Sequence, residues 1–252
     1  MDGGAGWLTF VNRRRAGRGV TSRVPTATRH AEVEKSIFRH VETGGPTGTL
    51  GRAYHHSMRL ILIRHGETQS NVDHLLDTAF PGAPLTDRGH AQAASLPDRL
   101  AKEPIEAVFA SVLTRAQQTA APLGEALGLE VEVIDGVQEI SAGVEEMSPD
   151  WSTYVAELAS WSPTNVDSRL EGGESAREFM TRFTTAVTEV EARGHACAAI
   201  VSHGAALRVW GLAQQPEFGI ENAPPLENTA WIVLNGSMAD GWTIEDWGQQ
   251  TR

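Results

Sequence analysis

The run Arg59-Leu60-Ile61-Leu62-Ile63, followed at once by Arg64-His65-Gly66-Glu67-Thr68, decides the fold. Four consecutive apolar residues that stop abruptly at polar ones are the mark of a strand covered on both faces, as in a parallel sheet. Glu106–Ala110 and Ala196–Val201 repeat the pattern, and each also ends in polar residues.

Helical patterns lie between these runs. Ser175-Ala176-Arg177-Glu178 is a capping-box signature, and Phe179, Phe183, Ala186, Val187 and Val190 after it share one helical face. Thr114-Arg115-Ala116-Gln117 reads as a second box, opening a helix that reaches Leu127 and stops at Gly128. Ser148-Pro149 predicts a third helix with Pro just inside it and Tyr154, Val155, Leu158 and Trp161 spaced for burial. Thr229–Leu234 and Trp242–Trp247 read as late strands around an Asn235-Gly236 turn. Strands interleaved with helices predict an α/β fold, a three-layer sandwich with a mostly parallel central sheet and helices on both faces.

Composition narrows the function. The chain has 252 residues and a formal charge of −11, which argues against a nucleic-acid partner, since phosphate backbones reward basic surfaces. One cysteine, Cys197, excludes a disulfide framework and a cysteine-rich zinc site. No stretch approaches the roughly 18 to 20 apolar residues of a membrane-spanning helix, so no membrane partner is expected and the compartment is read as cytoplasmic.

Charge is unevenly spread. Residues 1–57 hold nine Lys and Arg against four acids, so residues 58–252 carry −16. The basic segment is broken by Gly, Pro and Thr and shows little apolar periodicity, which predicts a largely disordered extension with at most a short helix over Glu32 to His40. It lacks the apolar core of a secretory signal, and its arginine content fits a transit peptide only loosely. Met58 stands directly before the first strand, so a mis-assigned start is preferred to a nucleic-acid-binding arm. The domain boundary is drawn there, with one domain over 58–252.

Ligands of open α/β sheets bind beyond the carboxyl ends of the strands. Those ends deliver Arg64-His65-Gly66 and Ser202-His203-Gly204, while the strand over Glu106–Ala110 leads through Ser111 to Arg115. Guanidinium groups match phosphate oxygens bidentately, and an imidazole with a free nitrogen can attack phosphorus. Cationic groups around the phosphoryl group would stabilise its transition state.

These residues resemble those of a known family. Arg64-His65-Gly66-Glu67-Thr68-Gln69-Ser70-Asn71 matches the RHGxTxxN signature of the histidine phosphatase superfamily, the phosphoglycerate-mutase-like proteins. Leu85–Ala93 resembles its LTxxGxxQA segment, Ser111–Ala120 its SxLxRAxxTA segment, and Gly172-Gly173-Glu174-Ser175 and Ser202-His203-Gly204 its GGES and SHG boxes, in the expected order. The resemblance implies a phosphoglycerate-mutase-like fold for the 58–252 domain. It also implies a phosphomonoester hydrolase that needs no metal or cofactor. His65 would carry the phosphoryl group, Arg64 and Arg115 would bind its oxygens, and His203 would complete the pocket. Asn71 and the Ala205 amide would add hydrogen bonds, and Glu139 would act as proton donor. A small phosphorylated substrate is the expected partner, and a homodimer is allowed.

The sequence departs from the family beyond Glu139. There the usual Gly-x-aromatic-Glu-Gly is replaced by Gly143-Val144-Glu145-Glu146-Met147, which leaves Glu145 and Glu146 as alternative donors. The runner-up activity is a phosphoglycerate mutase, disfavoured because residues 140–168 contain no Lys or Arg. A non-catalytic phosphate-binding module and a metal hydrolase are weaker alternatives, the latter for want of ligand spacing. His74, His90 and His195 match no box and are read as structural or exposed. Trp151 and Trp161 are read as core in preference to a lid.

Overall fold

The computed structural model describes residues 57–214 and 225–248. Apart from Ser162–Thr164, these belong to one compact unit. The basic extension and the short helix expected over 32–40 lie outside the described residues.

Six strands form one sheet: β1 (Met58–Arg64), β2 (Ala107–Ser111), β3 (Val131–Ile134), β4 (Cys197–Ser202), β5 (Trp231–Ser237) and β6 (Gly241–Gly248). Their order is β3-β2-β4-β1-β5-β6. The pairs β3·β2, β2·β4 and β4·β1 are parallel, while β1·β5 and β5·β6 are antiparallel. The helices are α1 (Gln69–Val72), α2 (Asp87–Ala94), α3 (Leu96–Arg99), α4 (Thr114–Leu127), α5 (Ser152–Ser160), α6 (Ala176–Ala192) and α7 (Gly204–Ala213).

The unbroken apolar run of β1 is explained by two cores. Leu60 and Leu62 join one cluster with Phe179 and Phe183 of α6 and Leu207 and Trp210 of α7. Ile61 and Ile63 join the other with Leu96 of α3 and Ala116, Ala120 and Leu123 of α4. Successive strand side chains point to opposite faces, so a strand covered on both must be apolar throughout. The sheet is therefore the middle of three layers.

This arrangement also places the site. The segment leaving β1 leads to α3 on one face, whereas α7, leaving the adjacent parallel strand β4, packs on the other. Such divergence opens a crevice at the carboxyl ends of the two strands.

Local expectations fared unevenly. The Ser175 capping box forms: its side chain accepts from the Glu178 amide, the Glu178 side chain reaches back, and all five predicted face residues of α6 are buried. Gly128 closes α4 in the left-handed region, as the glycine stop predicts. The Thr114–Gln117 box does not form. Leu113 is the cap residue, and the Gln117 side chain instead donates from Nε2 to the Val112 carbonyl at 2.7 Å. Pro149 lies outside α5, because Asp150 Oδ1 accepts from the Ser152 amide and starts the helix later.

The Asn235-Gly236 pair is inside β5, not at the turn. The hairpin closes after it, where the Asp240 amide donates to Ser237 Oγ at 2.9 Å. Gly236 serves a close approach: a Cβ there would lie 2.9 Å from the Trp242 Cα on β6. Trp161 stacks on Phe179 with ring centroids 6.3 Å apart, and both Trp151 and Trp161 pack against the larger core. Among the described residues, no helix is long and apolar enough to cross a membrane.

Candidate active site

Five elements meet at the crevice. Arg64 ends β1 and His65 follows it, Ser111 ends β2, Arg115 lies in the first turn of α4, and His203 stands between β4 and α7. His65, Arg115 and His203 are all buried. The two imidazoles face each other with centroids 5.2 Å apart and planes inclined by 54°. The sequence-predicted cationic and imidazole groups are thus brought together.

Hydrogen bonding fixes the state of His65. Its Nδ1 lies 2.7 Å from the Gly66 carbonyl oxygen, which can only accept, so Nδ1 carries the proton and Nε2 keeps its lone pair. Burial, then the charges of Arg115 and Arg64, hold the His65 pKa well below its ordinary value. Burial likewise lowers that of His203, reinforced by Arg115 and His65. His203 Nε2 is 2.9 Å from Ser111 Oγ, and its Nδ1 is buried without a hydrogen-bond partner. The Gly66 amide donates to Thr119 Oγ1 of α4 at 2.9 Å, tying the His65 loop to the helix that carries Arg115.

The arginines are held by their far ends. Arg64 Nη1 donates to the Leu226 carbonyl at 2.7 Å, while its buried Nε has no hydrogen-bond partner. Burial lowers its pKa to about 10, which still leaves it charged at neutrality. Arg115 Nη2 donates to the Asp77 carbonyl at 2.9 Å, and Nη1 stands 3.5 Å from the Asp77 carboxylate. Gly82, at φ +71°, passes over that guanidinium so closely that any Cβ would collide with Nη1. Asp77 is itself fixed by Ser70 Oγ at 2.8 Å and the Ala83 amide at 2.9 Å.

Glu139 sits at the N-terminus of α7. Its Oε2 accepts from the Ala205 amide at 3.0 Å and its Oε1 from the Ala206 amide at 2.8 Å and from its own neighbour Ile140 at 2.9 Å. The Ala205 amide expected to meet substrate is therefore engaged by the expected proton donor. Asn71 is also engaged: its Oδ1 accepts from the Thr68 amide, capping α1, and from Asn228, which also donates to the His65 carbonyl. Of the alternative donors, Glu146 is committed to the loop above Arg115, accepting from the amides of Thr78 and Ala79 and from the Thr78 hydroxyl. Glu145 lies in a 3₁₀ turn over Gly143–Glu145.

Arg182 carries no signal in the sequence. From α6 it donates to the carbonyls of Gly136 at 2.8 Å, Gln138 at 2.9 Å and Glu139 at 3.0 Å, and it pairs with Glu174 at 2.6 and 2.7 Å. Asp77, Asn228 and Thr119 were missed likewise, because each acts across a long sequence separation. Among the described residues, no group of His, Cys, Asp and Glu could hold a metal ion. His74 and His90 are exposed and His195 half-buried, in keeping with their having no box. The arrangement offers a neutral imidazole nitrogen among fixed cations, with one carboxylate alongside.

Comparison with known proteins agrees with this geometry. The family profile of the histidine phosphatase superfamily (branch 1) matches residues 60–250. A relative, the PE-PGRS family protein PE_PGRS11 of Mycobacterium tuberculosis, is 31% identical over 76% of this chain, which spans only 36% of that protein. The adenosylcobalamin/alpha-ribazole phosphatase of Escherichia coli is 35% identical over 53% of this chain and 68% of its own. Among solved structures, a mycobacterial glucosyl-3-phosphoglycerate phosphatase shares the fold at a TM-score of 0.65 and 22% identity, over 77% of this chain and all of that one. From its ordered boxes, its sheet and the convergence of His65, His203, Arg64 and Arg115, the chain belongs to the histidine phosphatase superfamily.

Proposed function

We propose that this protein is a metal-independent phosphomonoesterase that works through a phosphohistidine on His65 and acts on a small phosphorylated metabolite. The observation that carries the reading is the His65 Nδ1 bond to the Gly66 carbonyl, which leaves Nε2 free beside Arg64 and Arg115. The phosphatase named among the relatives supports it.

In the first step the Nε2 lone pair forms a bond to phosphorus as the ester P–O bond breaks. Arg64, Arg115 and His203 stabilise the charge on the equatorial oxygens. A phosphoryl oxygen takes the Ala205 amide from Glu139, whose carboxyl group turns to the leaving oxygen and gives it a proton. In the second step Glu139 takes a proton from water, the water oxygen bonds to phosphorus, and the P–N bond breaks, restoring neutral His65. Glu139 is preferred over Glu146 because it stands at the N-terminus of α7, the helix directly after His203, whereas Glu146 holds the amides of Thr78 and Ala79. Cys197, the one cysteine of the chain and a buried free thiol, suits a reducing, cytoplasmic setting.

The reading is tested with a substrate labelled on phosphorus. Wild-type protein should trap acid-labile, base-stable phosphate, and His65→Ala should trap none and lose turnover. Equal labelling of both proteins removes His65 from its role, and activity lost to EDTA and restored by zinc or magnesium removes the metal-independent chemistry.

A further inference from the structure

A cavity of about 470 Å³ opens beside Glu139, within the size range of small-molecule sites. One wall is apolar, made of Phe80, Val112 and Leu113, and Phe80 is 73% exposed. A second, charged wall carries Glu139, Glu174, Glu178, Arg169 and Arg182.

Both cations on this wall are already matched. Arg182 is saturated by Glu174 and three carbonyl oxygens. Arg169 Nη1 lies 2.7 Å from the Glu178 carboxylate, whose pKa is pulled down to about 2 by the Ser175 amide and Arg169, so it stays ionised. Glu174 and Glu178 thus use up the two guanidinium groups, and Glu139, the proton donor, adds no cation. The wall therefore offers a further anion no free counter-charge and presents acceptors to hydroxyl donors, while the ring of Phe80 can cover the C–H face of a sugar-like skeleton.

Resting on the phosphatase reading above, we infer that this cavity binds the leaving group, that it selects an uncharged, hydroxyl-bearing alcohol, and that the Arg169–Glu178 pair sets this preference. The phosphoryl end is bound by Arg64 and Arg115, so a second acidic group on the substrate would meet the carboxylates of Glu174 and Glu178 with no spare cation. Removing the Glu178 charge would release Arg169 to meet such a group. A Glu-to-Gln change serves the purpose, because glutamine also completes a capping box.

The experiment compares kcat/KM for glycerol 3-phosphate and 3-phosphoglycerate, which differ by a hydroxymethyl group against a carboxylate, in wild type and in Glu178→Gln. The ratio within one enzyme preparation is independent of how much of it is folded. Wild type should favour glycerol 3-phosphate by about fivefold or more, the scale of one unit charge met at contact distance in a water-rich site. Glu178→Gln should narrow that ratio severalfold. A wild type that prefers 3-phosphoglycerate, or a ratio unmoved by Glu178→Gln, overturns the inference while hydrolysis itself still stands. If no phosphomonoester is turned over, p-nitrophenyl phosphate included, the phosphatase reading fails and the inference with it.

Discussion

Arg182 donates from Nη2 to the carbonyl oxygen of Glu139 at 3.0 Å, fixing the main chain from which the candidate proton donor projects. The same guanidinium holds Gly136 and Gln138 and is oriented by Glu174, so the loop over 136–139 is pinned to α6 rather than to its own sequence neighbours. Arg182 is a positioning residue acting through Glu139. Arg182→Ala should slow alkyl phosphate hydrolysis by about 10- to 100-fold, the scale of a misplaced catalytic group. It should spare p-nitrophenyl phosphate, whose phenolate leaves with little help. In a Glu139→Gln background the Arg182→Ala penalty should largely vanish, since the two act on one step. Independent, multiplicative losses would assign Arg182 to folding alone.

Glu139→Gln itself should cost on the order of 10² to 10⁴ in kcat for an alkoxide leaving group. The loss for p-nitrophenyl phosphate should be far smaller. Equal losses on the two substrates would pass the donor's role to Glu145, the remaining candidate in that segment.

Stability should depend on pH through two buried histidines. The folded pKa values of His65 and His203 lie well below 6.5, so beneath that pH the unfolded chain binds protons that the folded protein refuses. Their contribution is complete above about pH 6.5 and is lost as the pH falls toward the folded values, at up to about 1.4 kcal/mol per pH unit for each histidine. The Glu178 window, from 4.5 down to about 2, lies below the range from pH 7 to pH 5 in which the histidines are tested. Urea unfolding at pH 7, 6 and 5 should show a falling midpoint, and His203→Gln should flatten the slope. A flat wild-type profile would mean that these rings are not held neutral.

Ser175 is buried and its hydroxyl accepts from the Glu178 amide at the start of α6. Ser175→Ala should cost about 1 kcal/mol, the usual worth of an N-cap. Calorimetry should show a drop in Tm of about 2–4 °C for a domain of this size. An unchanged Tm would mean that the α6 face, with Phe179 and Phe183 in the core, carries the helix without its cap.

The sequence by itself determined the layers and the reactive strand ends. Leu60 to Ile63 had to be covered on both faces, which requires helices above and below a sheet, and the polar residues after them had to emerge where that cover ends. The α6 cap was legible too, because Ser175 and Glu178 are three residues apart and interact whatever the rest of the chain does. β3 was not legible: four residues at a sheet edge, with Glu132 exposed, are too few to show a period. α7 carries no cap signature of its own. His203 makes no side-chain cap bond, and the helix is closed by Glu139, 66 residues before Ala205 in sequence. Arg115 is held by Asp77, 38 residues away, and the Glu139 loop by Arg182, 43 residues away. Periodicity and i, i+3 pairs are written within a few residues and survive in an isolated peptide. Bonds such as these exist only once the sheet has brought distant segments together, so only the tertiary structure could decide which groups hold the site in place.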